Sequence, residues 1–164
     1  MNETAILLIA HGSRHEPAND DLRRMAAALA ARGEYPIVEA AFLELTEPDI
    51  PAGGASCVAK GAGRVLMIPY FLAAGVHLVR DLTAARDDLI ARHPGVEFVL
   101  GRPLGPHPLL TQLVLVRVRE VEEFGPPADL APAAEMAVRY APIGEAGQDE
   151  PVGDGAIDGD PVKG

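Results

Sequence analysis

Four short aliphatic runs set the architecture open to this chain: Thr4–Ala10 (TAILLIA), Ile37–Leu43 (IVEAAFL), Arg64–Pro69 (RVLMIP) and Val96–Leu100 (VEFVL). Thr4–Ala10 is continuously aliphatic and too short for a helix, which suits a strand covered on both sides in a parallel sheet, and the other three runs read as further strands, Arg64–Pro69 again buried. The intervening segments change period. Leu22, Met25, Ala26 and Leu29 have helical spacing between Pro17 and Arg32, with Pro17 placed for a first turn and Gly33 as a stop. Leu78, Leu82, Ala85 and Leu89 repeat the pattern within Val76–His93, and Leu110, Leu113, Val114, Val118 and Val121 repeat it within His107–Phe124. A weaker helical segment through Cys57 to Lys60 is interrupted by Pro51, Gly53 and Gly54. Strand followed by helix, four times over, predicts right-handed crossovers and an α/β fold: a three-layer sandwich around a four-stranded parallel sheet, like half of a flavodoxin-type fold.

A chain of 164 residues with 48% hydrophobic content can bury one ordinary core. One domain is expected, over residues 1–125. Beyond Gly125 the periodicity ends and Pro and Gly become frequent. Residues 126–164 hold eight acids against Arg139 and Lys163, and so carry six of the ten net negative charges. This composition predicts a disordered acidic tail. The net charge of -10 and the lack of a dense basic run argue against nucleic acid as a partner. The apolar run Ala5–Ala10 is too short for a signal peptide, no stretch is long enough to span a bilayer, and Cys57 is the single cysteine. These features point to the cytoplasm and to no membrane partner.

In open parallel sheets, ligands gather beyond the carboxyl ends of the strands. Three polar groups fall there: His11 after the first strand, Glu44 after the second and His77 soon after the third. Two imidazoles and a carboxylate form a donor set suited to divalent Co, Ni, Fe or Zn, and three protein donors leave coordination positions open. Imidazoles titrate near neutral pH and are also able to accept protons. Each residue alone has a structural reading. A lone His at a strand end is most often hydrogen-bonded in place, and Glu44 could be a solvated carboxylate or cap the following segment through Thr46. It is their coincident placement that favours chemistry. Gly12 and Ser13 precede a helix, where backbone N–H groups and a hydroxyl could hold a carboxylate, and Arg14 is the obvious cation beside them; the same feature could be a simple tight turn. Arg80 or Arg102 could assist. His15, His93 and His107 read as helix-end residues and Cys57 as a small buried hydrophobe.

The segments LLIAHGSRHEPAN, AFLELTEP and RVLMIPYFLAAGVHLVRDL, in this order and followed by PLGPHPLL, resemble the sirohydrochlorin cobaltochelatase and ferrochelatase family of short CbiX type, over roughly residues 5 to 118. The resemblance implies metal binding and catalysis by His11 and His77, with Glu44 as a further metal contact. Family members carry two tandem copies of the domain or pair as homodimers of one copy. No second HGSR-like segment follows here, so a homodimer is implied. The segment PDIPAGGASC replaces a more regular helix of the family pattern, and the acidic tail has no counterpart in it.

The expected function is insertion of Co(II), as a substrate, into the anionic tetrapyrrole sirohydrochlorin on the cobalamin route. No organic cofactor is expected, and no ATP, because no glycine loop with Lys is present to bind its phosphates. The alternatives are the same chemistry with iron or nickel, and a metal or tetrapyrrole carrier without turnover. A flavodoxin-like binding module is disfavoured because the first loop lacks a Ser/Thr-rich phosphate cradle.

Overall fold

The strongest signal in the sequence, the run TAILLIA, becomes the centre of the molecule. The structure, a computed structural model, describes residues 3–126. The elements run β1 (Glu3–Ala10), α1 (Glu16–Ala31), β2 (Ile37–Phe42), α2 (Ile50–Ala59), β3 (Ala62–Pro69), α3 (Val76–Arg92), β4 (Glu97–Leu100) and α4 (Pro108–Phe124). The four strands form one sheet in the order β2-β1-β3-β4, and every neighbouring pair is parallel. β1 is interior to that order, and its residues Ala5 to Ile9 are all buried, which is why they are aliphatic without alternation. The four-stranded parallel α/β sandwich expected from the sequence is therefore present. The acidic tail expected over residues 126–164 lies, beyond Pro126, outside the described residues.

The handedness of crossovers decides which face each helix covers. The β1-to-β2 step runs one way along the sheet, and the β2-to-β3 and β3-to-β4 steps run the other way. α1 therefore covers one face while α2 and α3 cover the opposite one. The α2/α3 face has a core that reaches all four strands, through Ala41, Leu7, Met67 and Phe98, sealed by Cys57, Leu82 and Leu89. On the other face the buried cluster is smaller: Ile6, Leu8 and Phe42 against Leu22 and Ala26. It is confined to the β1–β2 half. Leu66 and Val99, register partners in β3 and β4, lie beside that cluster on the same face and are only partly buried.

α2 is more regular than its sequence suggests. Asp49 caps it, its side chain accepting the Ala52 N–H at 2.8 Å, and Pro51 sits in the first turn, where a missing N–H costs nothing. The expected alternative of a cap by Glu44 through Thr46 is thus replaced by Asp49. The glycines serve close packing rather than helix breaking. A Cβ on Gly53 would fall 2.8 Å from the Ala41 Cβ, and one on Gly54 would fall 2.5 Å from Leu89 Cδ2.

α4 differs in another way. It forms over the expected residues, His107 capping it through Nδ1, which accepts the Leu109 N–H at 3.2 Å. Yet none of its residues is buried, and Leu109 and Phe124 are 62% and 76% exposed. Its apolar stripe therefore does not face this chain's own core, contrary to the usual meaning of such spacing. Among the described residues no helix is long and apolar enough to cross a membrane.

Candidate active site

The carboxyl ends of β1 and β2 are level, Ala10 pairing with Phe42, so the residues that follow them emerge side by side. The pairing continues past the strands: the Leu43 N–H donates to Ala10 O at 3.0 Å, and the Glu44 N–H to His11 O at 3.1 Å. Their side chains consequently meet. His11 Nε2 lies 3.0 Å from Glu44 Oε1, with the imidazole 63% and the carboxylate 56% exposed. Two donors held on one metal ion at about 2.1 Å each, with a bond angle near 90°, are also about 3.0 Å apart, so the spacing of this pair is compatible with both atoms facing one cation.

Gly12 makes this juxtaposition possible. Its φ is +94°, and a Cβ there would lie 1.9 Å from the carbonyl oxygen of Glu44. Only glycine combines that backbone angle with that approach. Ser13 is tied into the start of α1: its N–H donates to Asn19 Oδ1 at 2.9 Å, its carbonyl accepts from Asn19 Nδ2 at 2.9 Å, and its hydroxyl oxygen accepts the His15 N–H at 3.0 Å. The Ser13 N–H is thus already engaged, and the group it can still offer a ligand is its hydroxyl proton. Arg14 is exposed and makes no ion pair among the described residues.

Asn19, a residue that reasoning from strand ends misses, is 1% exposed and also donates to Glu16 Oε2 at 3.0 Å. A sequence signal for it exists: positions 19, 22 and 26 form one helical stripe, so an Asn among apolar residues there must be bonded internally. Arg23 anchors the second half of the site. It donates to Glu16, to Asp20 and to the carbonyl of Glu47, and its guanidinium stands 5.3 Å from the Phe42 ring centroid. The bond from Arg23, with help from Asn19, holds the Glu16 carboxyl below its ordinary range.

His77 stands on the first turn of α3, exposed, beyond the loop 70–75. Among the described residues no group of three or more His, Cys, Asp or Glu side chains is close enough to hold a metal ion together. The set His11, Glu44 and His77 expected from the sequence is therefore present as a contacting pair with His77 apart. The physical reason is that strand pairing fixes the first two, whereas a loop separates His77 from β3. On this side of the mouth the β4–α4 connection is clamped to the β3–α3 loop, because the Gly105 N–H donates to Phe71 O at 3.2 Å and a Cβ on Gly105 would meet the Leu72 carbonyl at 1.9 Å. His15 and His107 take the helix-end places expected of them, and His93 ends α3 with its ring 5.9 Å from that of Phe98.

An open parallel α/β sheet with an imidazole and a carboxylate in contact on its carboxyl edge describes a class of single-sheet domains with an accessible nitrogen and oxygen donor pair. The chain belongs to the CbiX family, whose model matches residues 5–121. It is 36% identical over 114 residues to the chloroplastic sirohydrochlorin ferrochelatase of Arabidopsis thaliana, covering 70% of this chain and 51% of that one. It is 35% identical over 120 residues to the sirohydrochlorin cobaltochelatase of Priestia megaterium, covering 73% and 39%. Among solved structures, the CbiX protein of Marinobacter aquaeolei superposes with a TM-score of 0.65 at 30% identity, covering 74% of this chain and 98% of that one. The cobalt complex of the sirohydrochlorin chelatase SirB from Bacillus subtilis subspecies spizizenii gives 0.67 at 28% identity, covering 73% and 51%. The chain thus spans about half the length, or less, of these curated relatives and nearly all of the Marinobacter protein.

Proposed function

We propose that this chain is a metal chelatase that inserts Co(II) into sirohydrochlorin, acting in the cytoplasm as a homodimer without ATP or an organic cofactor. The contact between His11 Nε2 and Glu44 Oε1 carries the reading: an accessible mixed donor pair, fixed by strand pairing at the carboxyl edge, offers a divalent ion a foothold while leaving most of its coordination sphere open. Turnover needs such incomplete coordination, since the ion must be released to the macrocycle. His77 would complete the capture from across the mouth. His11 and His77 would accept the two protons that leave the pyrrole nitrogens. Gly12, Ser13 and Arg14, in the loop before α1, would hold a substrate carboxylate through the Gly12 N–H, the Ser13 hydroxyl and the Arg14 guanidinium.

Iron or nickel insertion into the same macrocycle is the second reading, favoured by the ferrochelatases among the relatives and by a donor set whose softness does not separate these metals. An optical assay with purified protein, sirohydrochlorin and each metal tests both. Fast formation of the cobalt chelate above the uncatalysed rate is expected. Faster iron or nickel insertion would favour the second reading, and stoichiometric binding without turnover would make the chain a carrier.

A further inference from the structure

One stripe of α1 reaches both halves of the donor pair. Glu16, Asn19 and Arg23 follow one another at spacings of three and four residues and so stand on one side of the helix. Asn19 grips the loop that carries His11, accepting the Ser13 N–H and donating to the Ser13 carbonyl. Glu16 divides its carboxylate, one oxygen accepting from Asn19 and the other from Arg23. Arg23 Nη2 donates to the carbonyl of Glu47 at 3.1 Å, on the loop that carries Glu44. A continuous hydrogen-bonded path therefore joins the two loops through the helix. The second loop needs such a hold. The register of β1 and β2 sets where Glu44 leaves the sheet, but not the path of the chain beyond it. That path begins with Leu45 at a φ of +69°, the one non-glycine residue with a positive φ among the described residues. A left-handed leucine is costly and persists only where its surroundings dictate it. Leu45 is half exposed, so core packing is not what dictates it. It is held from its two sides instead, the Glu44 N–H bonded to His11 O and the Glu47 carbonyl bonded to Arg23.

We infer that Arg23 is a positioning residue for metal capture: together with Glu16 and Asn19 it spans the two loops and holds Glu44 against His11. The inference rests on the reading of His11 and Glu44 as metal donors and adds the group that keeps them paired. The planar guanidinium suits the task. Nη1 engages Glu16 and Asp20 while Nη2 engages the Glu47 carbonyl, a division of work that a lysine ammonium performs poorly. The Phe42 ring, 5.3 Å from the guanidinium carbon, gives the fork a surface to rest on. Charge and positioning predict opposite effects. Removing a cation favours, by Coulomb's law alone, the binding of another cation. Removing a positioning group weakens it.

Two measurements on the full-length chain test this: calorimetric titration with Co(II) alone, and amide hydrogen exchange of the metal-free protein. Arg23→Gln is expected to weaken Co(II) binding by at least about 10-fold, the effect of losing a group that orients a metal donor. It should also speed exchange of the Glu44 N–H at least about 10-fold relative to the Tyr70 N–H, which is bonded to Ile9 O on the other side of β1. Arg24→Gln removes the same charge one position along the helix, from an ion pair with Asp21, and should match the wild type in both measurements. Arg23→Lys keeps the charge and is the variant to use if Arg23→Gln does not fold; it should shift both readings in the same direction. Unchanged Glu44 exchange in either Arg23 variant would overturn the inference, as would equal or tighter Co(II) binding. Equal weakening by Arg24→Gln would assign the effect to helix charge and overturn it too. If His11→Ala binds Co(II) as well as the wild type does, the reading of the donor pair fails instead, and Glu44 exchange in the Arg23 variants still decides whether Arg23 holds the loop.

Discussion

His77 and Gly12 separate chemistry from packing most sharply among single residues. His77 is exposed and makes no hydrogen bond or ion pair among the described residues. His77→Ala is therefore expected to shift the unfolding free energy by no more than about 0.5 kcal/mol while abolishing metal insertion; a normal turnover with a much lower melting temperature would make it a packing residue. Gly12→Ala should instead affect both packing and the site. The added Cβ would lie 1.9 Å from the Glu44 carbonyl at a φ of +94°, so a loss of roughly 1–3 kcal/mol in denaturant unfolding is expected, together with weakened metal binding as His11 and Glu44 are pushed apart. Unchanged stability would show that the loop relaxes freely. His11 and Glu44 are legible in the sequence because strand ends are predictable and parallel register places them level. Asn19 is not, because an Asn near a helix start reads as surface until its stripe is traced.

Elements follow the same logic. β1, β3, α1 and α3 are legible because hydrophobic period and length agree. α2 is obscured, since Pro51, Gly53 and Gly54 read as interruptions when each has a separate job at a helix start or at a close contact. Gly54→Ala is accordingly expected to destabilise the domain by roughly 1–3 kcal/mol, despite the better helix propensity of Ala, because Leu89 is fully buried and cannot withdraw. A rise in the melting temperature would mean that α2 shifts to make room. α4 carries the opposite risk: its period marks the helix correctly, but period alone does not say which molecule supplies the surface it covers.

For the whole molecule, two expectations concern what holds the domain together. Truncation after Gly125 should leave a cooperative thermal transition, since residues 126–164 have too little apolar content to offset the ordering of the chain; aggregation or loss of the transition would show that the tail is part of the fold. Cys57 supplies a pH dependence. Burial pushes its thiol from 9.0 up to about 12. The folded protein then keeps a proton that the unfolded chain has lost, so this contribution to stability is whole below pH 9.0 and is lost as pH climbs toward 12. Urea midpoints measured across that range should fall more steeply for the wild type than for Cys57→Ala; parallel curves would show that the thiol plays no part. The shared register of β1 and β2 has one more consequence. Because Ala10 and Phe42 are paired and the Glu44 N–H is bonded to His11 O, the spacing of the two donors is a property of the sheet and not of the donors' own chemistry. Position 44 can therefore change its donor atom while keeping its place, so a swap from oxygen to nitrogen or sulfur retunes which ion is preferred, and metal choice becomes separable from architecture over evolutionary or engineered time.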